Sequence, residues 1–129
     1  MPKTPSSMNL HLRYRLWIAE MNSDINVLRI FDDYIAEITH AANNTEAAEG
    51  IEKFKNKFID LRKEIDEMRH EMHLHKMKLA AWSRENKEYT PEDYRTDNHA
   101  VLEKRYINYK KDFEQVKTNF GSFASKWLH

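Results

Sequence analysis

The sequence predicts an all-α fold: an elongated three-helix, up-down-up antiparallel bundle with coiled-coil-like packing, a dimer of such units being the main variant. Three observations carry that expectation. Apolar residues recur at spacings of three and four through three long stretches, which keeps them on one helical stripe. Only two glycines and three prolines occur in 129 residues, too little turn chemistry for an all-β or α/β chain. Thr90-Pro91-Glu92-Asp93 combines a capping hydroxyl, a proline where no N–H is needed, and carboxylates at the positive end of a helix dipole.

Residues 1–7 hold a lysine and two prolines with no apolar run behind them. They read as a flexible leader rather than a secretory signal, followed by a single domain over 8–129. The first helix should start at Ser6 or Ser7 and reach about His40, its seam passing through Leu10, Tyr14, Trp17, Met21, Asp24, Leu28, Phe31, Ile35 and Ile38. Leu16, Ile18, Ile25, Val27, Ile30 and Tyr34 lie off that seam. They widen the buried face or supply a dimer contact. Asn43-Asn44 centres a short polar turn over Ala41 to Thr45. The second helix then runs from Thr45 or Glu46 to about Arg84, with Gly50 costing ~1 kcal/mol relative to alanine. Its seam is Ile51, Phe54, Phe58, Leu61, Ile65, Met68, Met72, His75, Leu79 and Trp82. After a connection over Glu85 to Tyr89, the third helix is expected to extend unbroken from Pro91 toward Trp127, loosened at Gly121.

Polar residues interrupt the seams at few places. Asp24 is level with Arg62 on the second helix and Tyr109 on the third, and a buried carboxylate requires a partner. Asp24 should contact Arg62 or, failing that, the Tyr109 hydroxyl, and the three form the expected register device, because a single polar seam residue commonly specifies alignment. His75 and His99 both hold seam positions and lie nearly equidistant from the same turn, so they should meet inside the bundle.

Composition narrows the function classes. Lys+Arg and Asp+Glu balance at 21 each, which gives no global field for a nucleic acid or a membrane surface. Cysteine is absent, removing thiol catalysis, zinc–thiolate sites and disulfides together. Charges recur too often for a membrane span, and cytoplasmic residence is the default. Among nucleophiles, no serine sits in an elbow motif or at a meaningful spacing from a histidine, and no glycine-rich phosphate loop occurs. The Glu37/His40 and Glu67/His70 pairs have the Glu-x-x-His spacing of di-iron bundles, but counting from the seam puts all four outside. No catalytic residue, cofactor site or metal site is assigned. The candidate metal ligands are His75, His99 and His11 with Glu71 and Glu103, against the alternative that His75 and His99 are neutral and hydrogen-bonded.

The run Phe54-Lys55-Asn56-Lys57-Phe58-Ile59, then Asp66-Glu67-Met68-Arg69-His70-Glu71 with His75 five residues on, resembles a small family of uncharacterised bacterial all-helical proteins. Those carry F-x-N-x-F-I, D-x-[LM]-[KR]-H-[DE], and a terminal aromatic-rich helix like that from Phe120 to Trp127. The resemblance implies fold and kinship, with no activity attached. The expected function is a non-enzymatic scaffold or adaptor acting through contacts with a protein partner or with itself as a homodimer. The alternative is a small metal-binding helical protein using the His75/His99 end.

Overall fold

Helix boundaries in this chain are set by side chains that satisfy the free backbone groups at helix ends. In the computed structural model, which describes residues 5–128, four helices pack together: α1 (Ser7–Ala41), α2 (Thr45–Arg84), α3 (Pro91–Thr96) and α4 (His99–Trp127). No strand occurs among the described residues. The leader expected over 1–7 falls largely outside them. Ser6 caps α1, its Oγ accepting from the Asn9 N–H at 3.1 Å. Asn44 does the same for α2, its Oδ1 accepting from the Ala47 N–H at 2.9 Å.

The C-terminus of α2 is a Schellman turn. Asn86 takes the left-handed conformation (φ 53°), and the N–H groups of Asn86 and Lys87 donate to the carbonyls of Ser83 and Trp82. Thr90 and Asp93 form a reciprocal capping box at the start of α3. The helix expected to run unbroken from Pro91 to Trp127 is instead two helices. Asn98, with φ 59°, stops α3 after six residues, because a residue in the left-handed region cannot continue a right-handed helix. Through Gly121, by contrast, α4 is continuous.

Two compact units make up the described chain. In the first, formed by segments 1–22 and 65–108, the core is Leu10, Tyr14, Met21, Ile65, Met68, Met72, Leu79, Leu102 and Tyr106. Trp17 stacks on Tyr106 at 4.9 Å. Ion pairs join its helices, Arg13 to Glu103 at 3.4 Å and Arg105 to Glu67 at 2.9 Å.

The second unit, segments 23–64 and 109–129, has an aromatic centre. Phe31 and Phe120 lie 4.5 Å apart between centroids, and Phe54 meets Phe120 at 5.2 Å and Phe123 at 5.0 Å. Gly50 is part of this packing. A Cβ placed there would lie 2.8 Å from Phe123 Cζ and closer still to Cε2, so the helix-propensity penalty of glycine is the condition for seating the ring. Around Gly121 a Cβ meets nothing within 4 Å.

Asp24 is only 7% exposed. It accepts from the Tyr109 hydroxyl at 2.6 Å and from Lys110 Nζ at 3.1 Å. The expected pairing with Arg62 does not form, since Arg62 reaches Asp32 instead. The off-seam residues of α1 divide: Ile18, Ile25 and Val27 are half-buried, whereas Leu16, Ile30 and Tyr34 are exposed. No helix among the described residues is long and apolar enough to cross a membrane.

Asp24→Ala should destabilise by ~1–3 kcal/mol in urea melts, because it removes the carboxylate to which both the Tyr109 hydroxyl and the Lys110 ammonium group donate; a loss no larger than that of an average surface change would contradict the hydrogen bond. Gly121→Ala should stabilise by ~0.5–1 kcal/mol, the ordinary helix-propensity gain. Gly50→Ala should fall short of the Gly121→Ala gain, because the Phe123 ring must move to admit the methyl group; equal stabilisation of both variants would show that it does not.

Candidate functional site

Among the described residues of the first unit, ionisable side chains gather away from water around His99. The left-handed turn at Asn98 brings Asp97, the C-cap of α3, and His99, the first residue of α4, into one short bend. His99 is 2% exposed and Tyr14 of α1 is 1% exposed. The Tyr14 hydroxyl hydrogen-bonds to His99 Nδ1. Nε2 of the same ring is buried with no hydrogen-bond partner, and Asp97 Oδ2 stands 3.7 Å away. A carboxylate on that side favours the tautomer with its proton on Nε2, so the phenol donates and Nδ1 accepts.

Aromatic rings enclose the imidazole. The centroids of His75, Tyr14, Tyr94 and Tyr89 lie 4.9, 5.5, 5.5 and 6.0 Å from that of His99. Lys78 holds Asp97 Oδ1, and the Tyr89 hydroxyl donates to Oδ2 at 3.3 Å. Burial is the main force on the titrating groups. It lowers the His99 pKa to about 4, with the neighbouring His75 and then Lys78 adding to the effect and Asp97 opposing it. Burial also lowers the pKa of His75, with Lys78 adding and Asp97 and Glu71 opposing. Both phenols, Tyr14 and Tyr89, are pushed upward, again chiefly by burial. At neutral pH the cluster is therefore two uncharged imidazoles against protonated phenols. A general base has to reach its reactant, and His99 has no open approach from solvent.

Of the five candidate metal ligands, the structure brings together His75 and His99. The other three are engaged otherwise: Glu103 is paired with Arg13, and Glu71, though near enough to His75 to act on its charge, is paired with Arg105, each at 3.4 Å, and His11 lines a groove with Met8 and Met77. Among the described residues, no group of three or more His, Cys, Asp or Glu side chains is placed to hold a metal ion. Glu37, His40, Glu67 and His70 are all exposed, as counting from the seam implied. Asp97, Tyr89 and Tyr94 complete the cluster and were not anticipated. Their signal was Asn98, a residue type that tolerates the left-handed region and can fold two flanking side chains together.

The pH dependence has a defined sign. An ordinary histidine in the unfolded chain takes up its proton near pH 6.5, whereas folded His99 resists until about 4. Its contribution is therefore complete above the unfolded pKa and is lost as pH falls through that value toward the folded one. The loss from neutral pH to pH 4 should be on the order of 3 kcal/mol at about 1.4 kcal/mol per tenfold change in proton affinity. Urea melts across that range should show the loss in the wild type and a much flatter profile in His99→Gln; parallel profiles would contradict it. Comparison with protein-family models, curated proteins and solved structures gives no match to this chain, so the meaning of the cluster is read from its own geometry.

Proposed function

We propose that the chain is a non-enzymatic, cytoplasmic helical scaffold or adaptor, with α1, α2 and α4 running up-down-up and acting through protein contacts. The observation that carries this reading is the placement of apolar side chains left outside the core. Met8, Leu12 and Leu16, between 50% and 57% exposed, repeat every fourth residue on one face of α1, away from its buried seam. Such a stripe exposes apolar area that association would cover. Cross-helix pairs support the helix directions within the first unit. Tyr14 and Glu20 meet His99 and Tyr106, so sequence number rises together on α1 and α4. The resemblance of the Phe54 to Ile59 and Asp66 to Glu71 segments to the bacterial helical family belongs to this proposal, and would bring fold similarity and no activity.

A second reading, the small metal-binding protein, draws on the unpartnered His99 Nε2 beside Asp97 and His75. Stoichiometric metal in protein purified without a histidine tag, lost in His75→Ala and His99→Ala, would favour it over the scaffold.

The scaffold reading is tested by placing a photo-crosslinking amino acid at Leu12 or Leu16 in cells, with Glu52 as an exposed control. A discrete crosslinked species from the α1 positions is expected, and its mass distinguishes a second copy from another protein. Yields no higher than from Glu52 would contradict the reading.

A further inference from the structure

An open groove of about 440 Å3 lies between the first turns of α1 and the last turns of α2, lined by Met8, His11, Met77, Ala80, Ser83 and Arg84. Its walls are soft and apolar. Met8 and Met77 are 50% and 56% exposed, and flexible thioether side chains suit a surface that must mould itself to a partner. Its rim is cationic. Arg84 lines the groove, and Lys76 and Arg15 stand near enough to His11 to oppose its protonation, behind the larger effect of burial.

These cations differ from most of their neighbours. In the first unit Arg13, Arg69, Lys78, Lys87 and Arg105 each reach a carboxylate within 4 Å, whereas Arg15, Lys76 and Arg84, together with Arg95 and Lys104, form no ion pair among the described residues. In a chain with zero net charge, three such cations beside one apolar groove define the complement that fits it. That complement is apolar where it meets Met8, Met77 and Ala80, and negative at its edges. A groove between two helices takes a third helix by ridge-and-groove packing, with anchors at helical spacing. Nucleic acid fits less well, because phosphates would meet apolar walls with too few cations for a backbone track.

We propose that this groove docks an amphipathic helix of a partner protein, with apolar anchors three or four residues apart flanked by Asp or Glu side chains. The proposal rests on the scaffold reading and names the chemistry of its partner. Carboxylates would reach Arg15, Lys76 and Arg84, supplying orientation and encounter rate, while the anchors bury the two methionines.

The test is a selection from a displayed library of random-sequence helices against the full chain, with affinities of the recovered peptides measured by fluorescence anisotropy. Recovered helices should carry acidic flanks. Their binding should weaken at least about tenfold with Arg15→Glu/Arg84→Glu, both at exposed positions, and should return when the peptide carboxylates are replaced by lysine. Met77→Gln should weaken binding without changing that charge preference. Helices without acidic residues, acidic helices that bind the reversed variant equally well, or no enrichment would overturn the proposal. So would a DNA duplex or phosphatidylglycerol vesicles binding more tightly than any recovered helix and losing affinity in the same variant. Crosslinking from Leu12 together with any of those failures would leave the scaffold reading standing and remove only the assignment of the groove.

Discussion

A polar side chain placed on a buried seam must find a partner, and in each unit of this chain a tyrosine hydroxyl provides it. In the first unit Tyr14 serves His99, and in the second Tyr109 serves Asp24. Both bonds join α1 to α4, and both pair residues 85 apart in sequence. Apolar packing alone tolerates a slide of one turn, because the three-four repeat presents a similar surface after each turn. A slide that strands a buried hydroxyl, imidazole or carboxylate costs ~1–3 kcal/mol for each group left unsatisfied. Helix alignment is thus decided by the few seam positions that depart from the apolar pattern.

The two units use that constraint differently. Around Asp24 the solution is charged, with Lys110 joining the phenol at the carboxylate, and the adjoining core is aromatic and closely seated against Gly50. Around His99 the imidazole is neutral, enclosed by aromatic rings, and retains one nitrogen without a hydrogen bond. Lowering the pH therefore acts on His99 through its own titration, since an imidazolium in that enclosure lacks the solvation it would have in the unfolded chain. The same enclosure separates the cluster from the outward apolar stripe of α1, where the scaffold reading places protein contacts.

Much of this was legible in the sequence. The seam positions Leu10, Tyr14, Met21, Leu28, Phe58, Ile65, Met68 and Met72 are all buried, because helical periodicity is a direct record of which face meets the core. His75 and His99 meet for the same reason. Counting by level found one of the two partners it named for Asp24, since the Tyr109 hydroxyl reaches the carboxylate and Arg62 does not. It identified Tyr109 and Arg62 at similar heights but could not say on which flank of α2 the guanidinium would lie, and Asp32 captures it. The break at Asn98 was missed because the Thr90-Pro91 start signal was strong and the apolar repeat resumes at His99. Without that break Asp97 could not be placed beside the imidazole. The groove of Met8 and Met77 was hidden for a different reason: off-seam residues carry no periodic signal that relates one helix to another.

The most direct test of the account is solution NMR of the two tyrosine hydroxyls. Hydroxyl protons of Tyr14 and Tyr109 shielded from water should be observable at low temperature, with nuclear Overhauser contacts from the first to the His99 ring and from the second to the Asp24 methylene. That result would establish the α1–α4 alignment by its polar contacts. Hydroxyl protons in fast exchange with water, or contacts that join Tyr14 and Tyr109 to residues one helical turn away from His99 and Asp24, would contradict it.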